Sequence, residues 1–238
     1  MFGLPVQASA HAGELDTIAT LVHVLMAALF VGWGTFFAYT LVRYRAGRQP
    51  RANYTGARGR AAKWVEGGVV VAEVVLLAGF AIPAWMTRVR DVPPENAATV
   101  VRIVAEQFAW NAHYPGRDGR FGRTDAALIA PGNPLGLDRA SPFAADDVVT
   151  INQVGLPIDR PVVVHLSAKD VIHSFGVPAM RVKQDAIPGV PAVVWFTPKV
   201  AGEFDIACSQ LCGLGHYRMR GIVRVLSAPD FTAWLQSR

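Results

Sequence analysis

Charge and cysteine are what this sequence has least of. Only 17% of its 238 residues are charged against 52% hydrophobic, a balance that leans towards a membrane protein. Two cysteines, Cys208 and Cys212, are too few for a disulfide framework. No C-x₂-C-H occurs, which excludes haem attached in the c-type manner, and no glycine-rich nucleotide or flavin pattern occurs either. Six histidines do not furnish an oxygen-reducing haem–copper pair. A net charge of +5 comes without any RRM-like or zinc-finger pattern, so nucleic acid is excluded as a partner.

Where charge is missing altogether, the chain is built for lipid. Ile18–Val42 contains no Asp, Glu, Lys or Arg and is long enough to cross a bilayer with some tilt. Val65–Met86 is a second span, with Trp64 and Trp85 at its ends as in an interfacial belt. Between them lie seven basic residues (Arg43, Arg45, Arg48, Arg51, Arg58, Arg60, Lys63) and no acid, while no Lys or Arg precedes Arg43. That asymmetry puts the 43–63 loop in the cytoplasm and both termini on the opposite face. Residues 1–16 lack the charged start and long apolar core of a secretory signal and read as a short outer tail. The second span carries Glu66 and Glu73, seven apart and so on nearly one helix face. Glu73 lies deep enough that an ionised carboxylate costs at least ~2.5 kcal/mol, so it is expected to be protonated or to face a polar partner.

From Asp91 onward the composition changes to short β-rich runs separated by Gly, Pro and Asp. The predicted division is therefore residues 1–90, a tail and two-helix transmembrane hairpin, and residues 91–238, an all-β sandwich or Greek-key barrel. Residues 115–146 read as a surface loop inserted between strands, which shapes a docking face or covers a sheet edge. SAPDFTAWLQ closes the chain as a short helix with Pro229 in its first turn.

The chemistry concentrates in CSQLCGLGHYRM. Cys208, Cys212, His216 and Met219 fall within twelve residues, and thiolate, imidazole and thioether make a soft set that favours copper over magnesium, calcium or manganese. A Cys208–Cys212 disulfide is the plain alternative. A mononuclear blue-copper site is another, but it needs only one cysteine. Two thiolates bridging two coppers use every residue, and His173 in KDVIHSFGVP is the best second imidazole. His165, inside VVVHLS, reads as a hydrogen-bonded strand histidine, and His113 as a loop-edge residue.

DVIHSFGVP, VKQDAIPG and CSQLCGLGHYRM, in this order behind two apolar spans, resemble subunit II of the haem–copper respiratory oxidases. The resemblance implies a cupredoxin-like fold and a dinuclear CuA centre. Cys208 and Cys212 would bridge both coppers, His173 and His216 would each bind one, and Met219 and the Gln210 carbonyl would be weak axial ligands. Most members carry Glu at the position of Gln210, and its side chain helps bind magnesium, so this sequence lacks that carboxylate. Glu66 falls where the family has a Glu that opens a proton path into subunit I. EQFAWNAHYPG resembles the aromatic segment near which electrons arrive, with Phe108 and Trp110 at the two Trp positions. The implied function is subunit II of cytochrome c oxidase in a bacterial plasma membrane. It would take electrons from a cytochrome c-type donor and pass them to haem in subunit I for proton-coupled reduction of oxygen to water. Such a chain is not catalytic alone. Its alternatives are the CuA subunit of a nitric oxide reductase and a copper-delivery or assembly protein.

Overall fold

The computed structural model describes residues 3–48, 51, 54 and 59–238. Arg58, one of the seven basic residues of the connecting segment, lies outside the described residues. The chain divides into two compact units, Glu14–Thr87 and a β-rich unit made of residues 3–13 and Arg88–Arg238.

The first unit holds helix α1 (Ala12–Arg43) and helix α2 (Arg60–Leu76), the latter running through a π turn at Leu77–Ala81 into α3 (Ile82–Arg90). The π turn has a local cause. Pro83 has no N–H to give back along the helix, and just before it Ile82 N–H bonds Leu77 O, five residues back. The stretches Ala12–Arg43 and Arg60–Arg90, with mean hydropathy 1.9 and 2.1, are long and apolar enough to cross a membrane. Glu66 and Glu73 stand exposed on α2. Among the described residues neither has a hydrogen-bond or ion-pair partner.

The β-rich unit contains ten strands: β1 (Thr99–Glu106), β2 (Ala109–Tyr114), β3 (Val148–Ile151), β4 (Gln153–Pro157), β5 (Val162–Ala168), β6 (His173–Val177), β7 (Val182–Ala186), β8 (Ala192–Phe196), β9 (Gly202–Cys208) and β10 (Arg220–Leu226). They form two five-stranded sheets, β3-β2-β1-β5-β8 and β4-β10-β9-β6-β7. The architecture is a sandwich, which settles the sandwich-or-barrel choice. Pairing is antiparallel except for β1 with β5 and β10 with β4. Alternation along β1 sends Val101, Ile103 and Ala105 inward, where they meet Trp110, Phe175, Ile206 and Val223 in one core. Each such fully buried large side chain contributes about 1.5–3 kcal/mol. Helix α4 (Ala228–Gln236) starts on a Ser227 cap and lays Trp234 on Gly155, where an added Cβ would come within 2.5 Å of the indole.

The inserted segment between β2 and β3 covers a sheet face rather than an edge. Phe121, Ile129 and Leu135 wall a cavity of about 670 Å³ floored by Arg102, Val104, His165 and Ser167. This cover turns His113 from the expected loop-edge residue into a buried one. Its Nε2 lies 2.6 Å from Asp147 Oδ2, and both residues are almost inaccessible. His165, by contrast, is on a strand and bonded to Glu95 at 2.8 Å, as its sequence context indicates.

The N-terminal tail belongs to the sandwich and not, as the division at residue 90 implies, to the hairpin. Ala8 N–H donates to Ala179 O (2.8 Å), Lys199 N–H to Ala8 O (2.8 Å) and Ala10 N–H to Thr197 O (3.0 Å). Ser9 Oγ donates to Met180 O at 2.7 Å. The backbone groups of an isolated tail would stay in water; here they replace missing sheet partners. His11 is buried in this strap, and burial first, then the Arg88 charge, lowers its pKa from 6.5 to about 4. An undocked strap takes up the proton near pH 6.5 and the docked one only near 4, so docking is fully stable above 6.5 and weakens as pH falls towards 4. Amide-exchange protection at Ala8 and Ala10 is expected to drop on the order of tenfold between pH 7.5 and 5. Equal protection at both pH values would contradict this.

Candidate metal centre

One strand pair within the second sheet brings the sequence-distant candidate ligands together. Phe175 on β6 stands opposite Cys208 on β9, and Gly176 opposite Ala207, so His173 at the start of β6 lies beside the last residue of β9. Residues 209–219 then loop out and return as β10, the loop base being closed by Cys208 N–H to Met219 O (3.4 Å) and Ser209 N–H to Ser174 O (2.9 Å). The final turn of the loop, His216–Arg218, is a 3₁₀ helix that swings the His216 ring back towards the cysteines.

The side chains converge. Cys208 Sγ and Cys212 Sγ are 3.7 Å apart, and both thiols are free, since a disulfide would need about 2.05 Å. Cys212 Sγ also lies 3.6 Å from His216 Nδ1 and 3.7 Å from Met219 Sδ. His173 Nδ1 is 3.2 Å from Met219 Sδ, and Cys208 Sγ is 3.2 Å from the Gln210 carbonyl oxygen. The donor atoms of His173, Cys208 and Cys212 all fall within 4.8 Å of one another. His173, Cys212 and Met219 are buried. All six residues singled out in the sequence therefore meet at one place, and their soft donors fit a thiophilic metal.

Electrostatics say what holds them there. Burial, and then the Cys208 thiol alongside, raise the Cys212 pKa from 9 to about 11, so without metal this sulfur keeps its proton and metal must displace it. His173 Nε2 donates to Asp170 Oδ1 at 2.9 Å, which leaves Nδ1 as the nitrogen aimed at the sulfurs. Partial burial raises the Asp170 pKa. Hydrogen bonds from His173 and from the Gln107 and Val171 amides outweigh that and hold the carboxyl below its ordinary value. Asp185, whose motif also pointed here, pairs across the strand with Ser174 and forms an ion pair with Lys183, one step from the donors.

The aromatic segment is placed more closely than its sequence indicated. Trp110 is fully buried, edge-on to His173 with ring centroids 6.3 Å apart. Phe108 lies against the ligand loop, so that a Cβ at Gly215 would come within 2.4 Å of its ring. The residue that sequence reasoning missed is Gln107. Its backbone N–H donates to Asp170 Oδ2 and its side-chain Nε2 to Cys212 O, both at 2.7 Å. Nothing in the order of the residues marks it, because its partners lie 63 and 105 positions away. Around the 209–219 loop, Leu211, Leu214 and Tyr217 are 78%, 97% and 86% exposed, an apolar rim facing outward.

Comparison with known proteins gives this geometry a context. Residues 99–226 match the family model for the periplasmic domain of cytochrome c oxidase subunit II. An alternative cytochrome c oxidase subunit 2 from Bradyrhizobium diazoefficiens is 36% identical over 227 residues, covering 95% of this chain and 80% of that protein. Cytochrome c oxidase subunit 2 of Cereibacter sphaeroides is 28% identical over 247 residues, with coverage of 98% and 79%. Among solved structures, the periplasmic domain of subunit II of cytochrome oxidase from Bradyrhizobium japonicum aligns at 30% identity and a TM-score of 0.45, covering 61% of this chain and 95% of that one.

Proposed function

The chain belongs to the cytochrome c oxidase subunit II family, membrane-anchored through its apolar helices, and from that premise we propose that it is the electron-accepting subunit of a haem–copper terminal oxidase. In this reading Cys208, Cys212, His173, His216, Met219 and the Gln210 carbonyl hold a dinuclear copper centre. The observation that carries it is the 3.7 Å spacing of two unjoined sulfurs. Metal–thiolate bonds run about 2.3 Å, so two sulfurs 3.7 Å apart could both bind the same metal without being joined to each other, and Cys208 and Cys212 would hold a copper pair in this way.

Bound copper supplies a one-electron change spread over two ions. The protein's part is to keep the donors still and dry. His173 and Cys208 are fixed by neighbouring strands, Asp170 fixes the His173 ring, and burial of His173, Cys212 and Met219 excludes water. The donor is a cytochrome c-type protein docking from outside, with Leu211, Leu214 and Tyr217 as apolar contact surface and Phe108 and Trp110 on the electron's way in. The acceptor is haem in subunit I, where oxygen is reduced to water with proton translocation. The strap supports the sidedness: residues 3–13 are bonded into the β-rich unit, so two spans return the chain to the face from which it started, with the basic 43–63 segment in the cytoplasm. Glu66 and Glu73, unpartnered here, face the polytopic subunit and its proton path.

Loading the purified chain with copper tests the centre. Two coppers per chain and a hyperfine pattern split by two equivalent nuclei are expected. One exchangeable Cu(I) would instead identify a copper-delivery protein. In the assembled oxidase, Glu66→Gln or Glu73→Gln is expected to slow turnover or pumping, and Phe108→Leu to slow reduction by the donor. Unchanged values reject each assignment in turn.

A further inference from the structure

We infer that Gln107 is a positioning residue that ties the two ligand-bearing segments into one rigid unit, an inference that rests on the copper reading above. β6 and β9 do not by themselves fix both sulfurs. Their pairing sets His173 beside Cys208, but Cys212 lies out in the 209–219 loop, beyond the reach of any ladder hydrogen bond. A loop anchored only at its base leaves the second sulfur free to drift. The turn between β1 and β2, on the other sheet, supplies the missing anchor.

Four residues form a continuous chain of hydrogen bonds. His173 Nε2 donates to Asp170 Oδ1 at 2.9 Å, and Gln107 N–H donates to Asp170 Oδ2 at 2.7 Å. Gln107 Nε2 in turn donates to the carbonyl of Cys212 at 2.7 Å. One carboxylate thus orients an imidazole and the Gln107 backbone together, and the Gln107 side chain carries that constraint to the thiol-bearing residue. The three bonds span both sheets, so neither ligand segment can shift without breaking one of them.

The glycines of the loop agree. Gly213 and Gly215 make room for this turn. A Cβ at Gly213 would come within 2.6 Å of Gln107 Nε2, and one at Gly215 within 2.4 Å of the Phe108 ring. Gly213 also takes φ +132, a conformation that side chains disfavour. Phe108 closes over the loop while Gln107 holds it, and the amide reaches the carbonyl only because residue 213 has no side chain.

An outer partner of this kind commonly changes metal affinity by 10–100-fold when removed. Gln107→Leu keeps the bulk and deletes the donor, so it separates positioning from packing. Wild-type chain and Gln107→Leu are loaded with copper in detergent, their paramagnetic spectra recorded, and copper withdrawn by a chelator. The variant is expected to lose copper roughly 10–100 times faster and to show unequal hyperfine coupling to the two nuclei. Gly213→Ala, whose added methyl displaces the amide, should reproduce both changes and serves if Gln107→Leu folds poorly. Wild-type spectra and chelation rates in both variants would overturn the inference. A wild-type chain that binds a single copper would instead sink the dinuclear reading and this proposal with it.

Discussion

Changing Cys212 to Ser is expected to abolish the proposed copper centre while leaving the β-sandwich intact. Cys212 is the hub of the donor cluster: its sulfur lies 3.7 Å from Cys208 Sγ, 3.6 Å from His216 Nδ1 and 3.7 Å from Met219 Sδ. Serine is nearly the same size, so the core does not open. Its hydroxyl does not ionise near neutral pH, however, and an oxygen donor is too hard to share copper as a thiolate does. Copper–thiolate absorption should vanish, the two-nucleus hyperfine pattern should collapse, and electron uptake should fall by more than the roughly 100-fold typical of losing an outer-shell partner. Met219→Leu, which removes only a weak donor, is the milder comparison. A Cys212→Ser protein that keeps the two-nucleus pattern would show that Cys212 is no bridge.

Asp147→Ala is expected to give the largest loss of stability, far from the metal. This carboxylate accepts three hydrogen bonds in a nearly water-free place: from His113 Nε2 (2.6 Å), Gly116 N–H (3.0 Å) and Gly122 N–H (2.7 Å). Burial lowers the His113 pKa, and the Asp147 contact only partly opposes it. Removing the acceptor leaves three donors without a partner, two of them buried, and at about 1–3 kcal/mol for each unsatisfied buried group the loss is about 3–5 kcal/mol in all. For a domain of this size that is a fall in Tm of roughly 10 °C. The inserted segment should be the first part to come loose, because Asp147 is what pins both its ends to β2. A thermal melt of the full chain followed by near-ultraviolet dichroism reads this out. A shift of only a degree or two would mean that the segment is held by its apolar contacts instead.

Local order along the chain carried a great deal. Apolar runs of about 20 residues with few charges match the thickness of a bilayer, so the candidate spans follow from composition. The i, i+4, i+8 placement of Cys208, Cys212 and His216 announces a ligand loop whatever the surrounding fold. The alternating runs VVRIVAEQF, DDVVTINQ, PVVVHLSA, AVVWFTP, GEFDIAC and GIVRVLS fall on β1, β3, β5, β8, β9 and β10. The other strands give no such signal: β2, β4 and β6 are buried at nearly every residue and so do not alternate, and β7 (VKQDA) is mostly polar. β6 shows why, since all five of its residues are inaccessible.

Sequence alone therefore determined the apolar spans, the β-rich class and the candidate donors that the fold gathers, because each depends on residue types or on spacings of a few positions. The tertiary structure decided what depends on contacts between distant segments. The tail became a strap on the sandwich, His113 became half of a buried pair, and the β1–β2 turn came to hydrogen-bond a loop 105 residues away. Hydrogen bonds of that kind leave no periodicity behind them. They exist only once two sheets have packed and brought their turns to the same end.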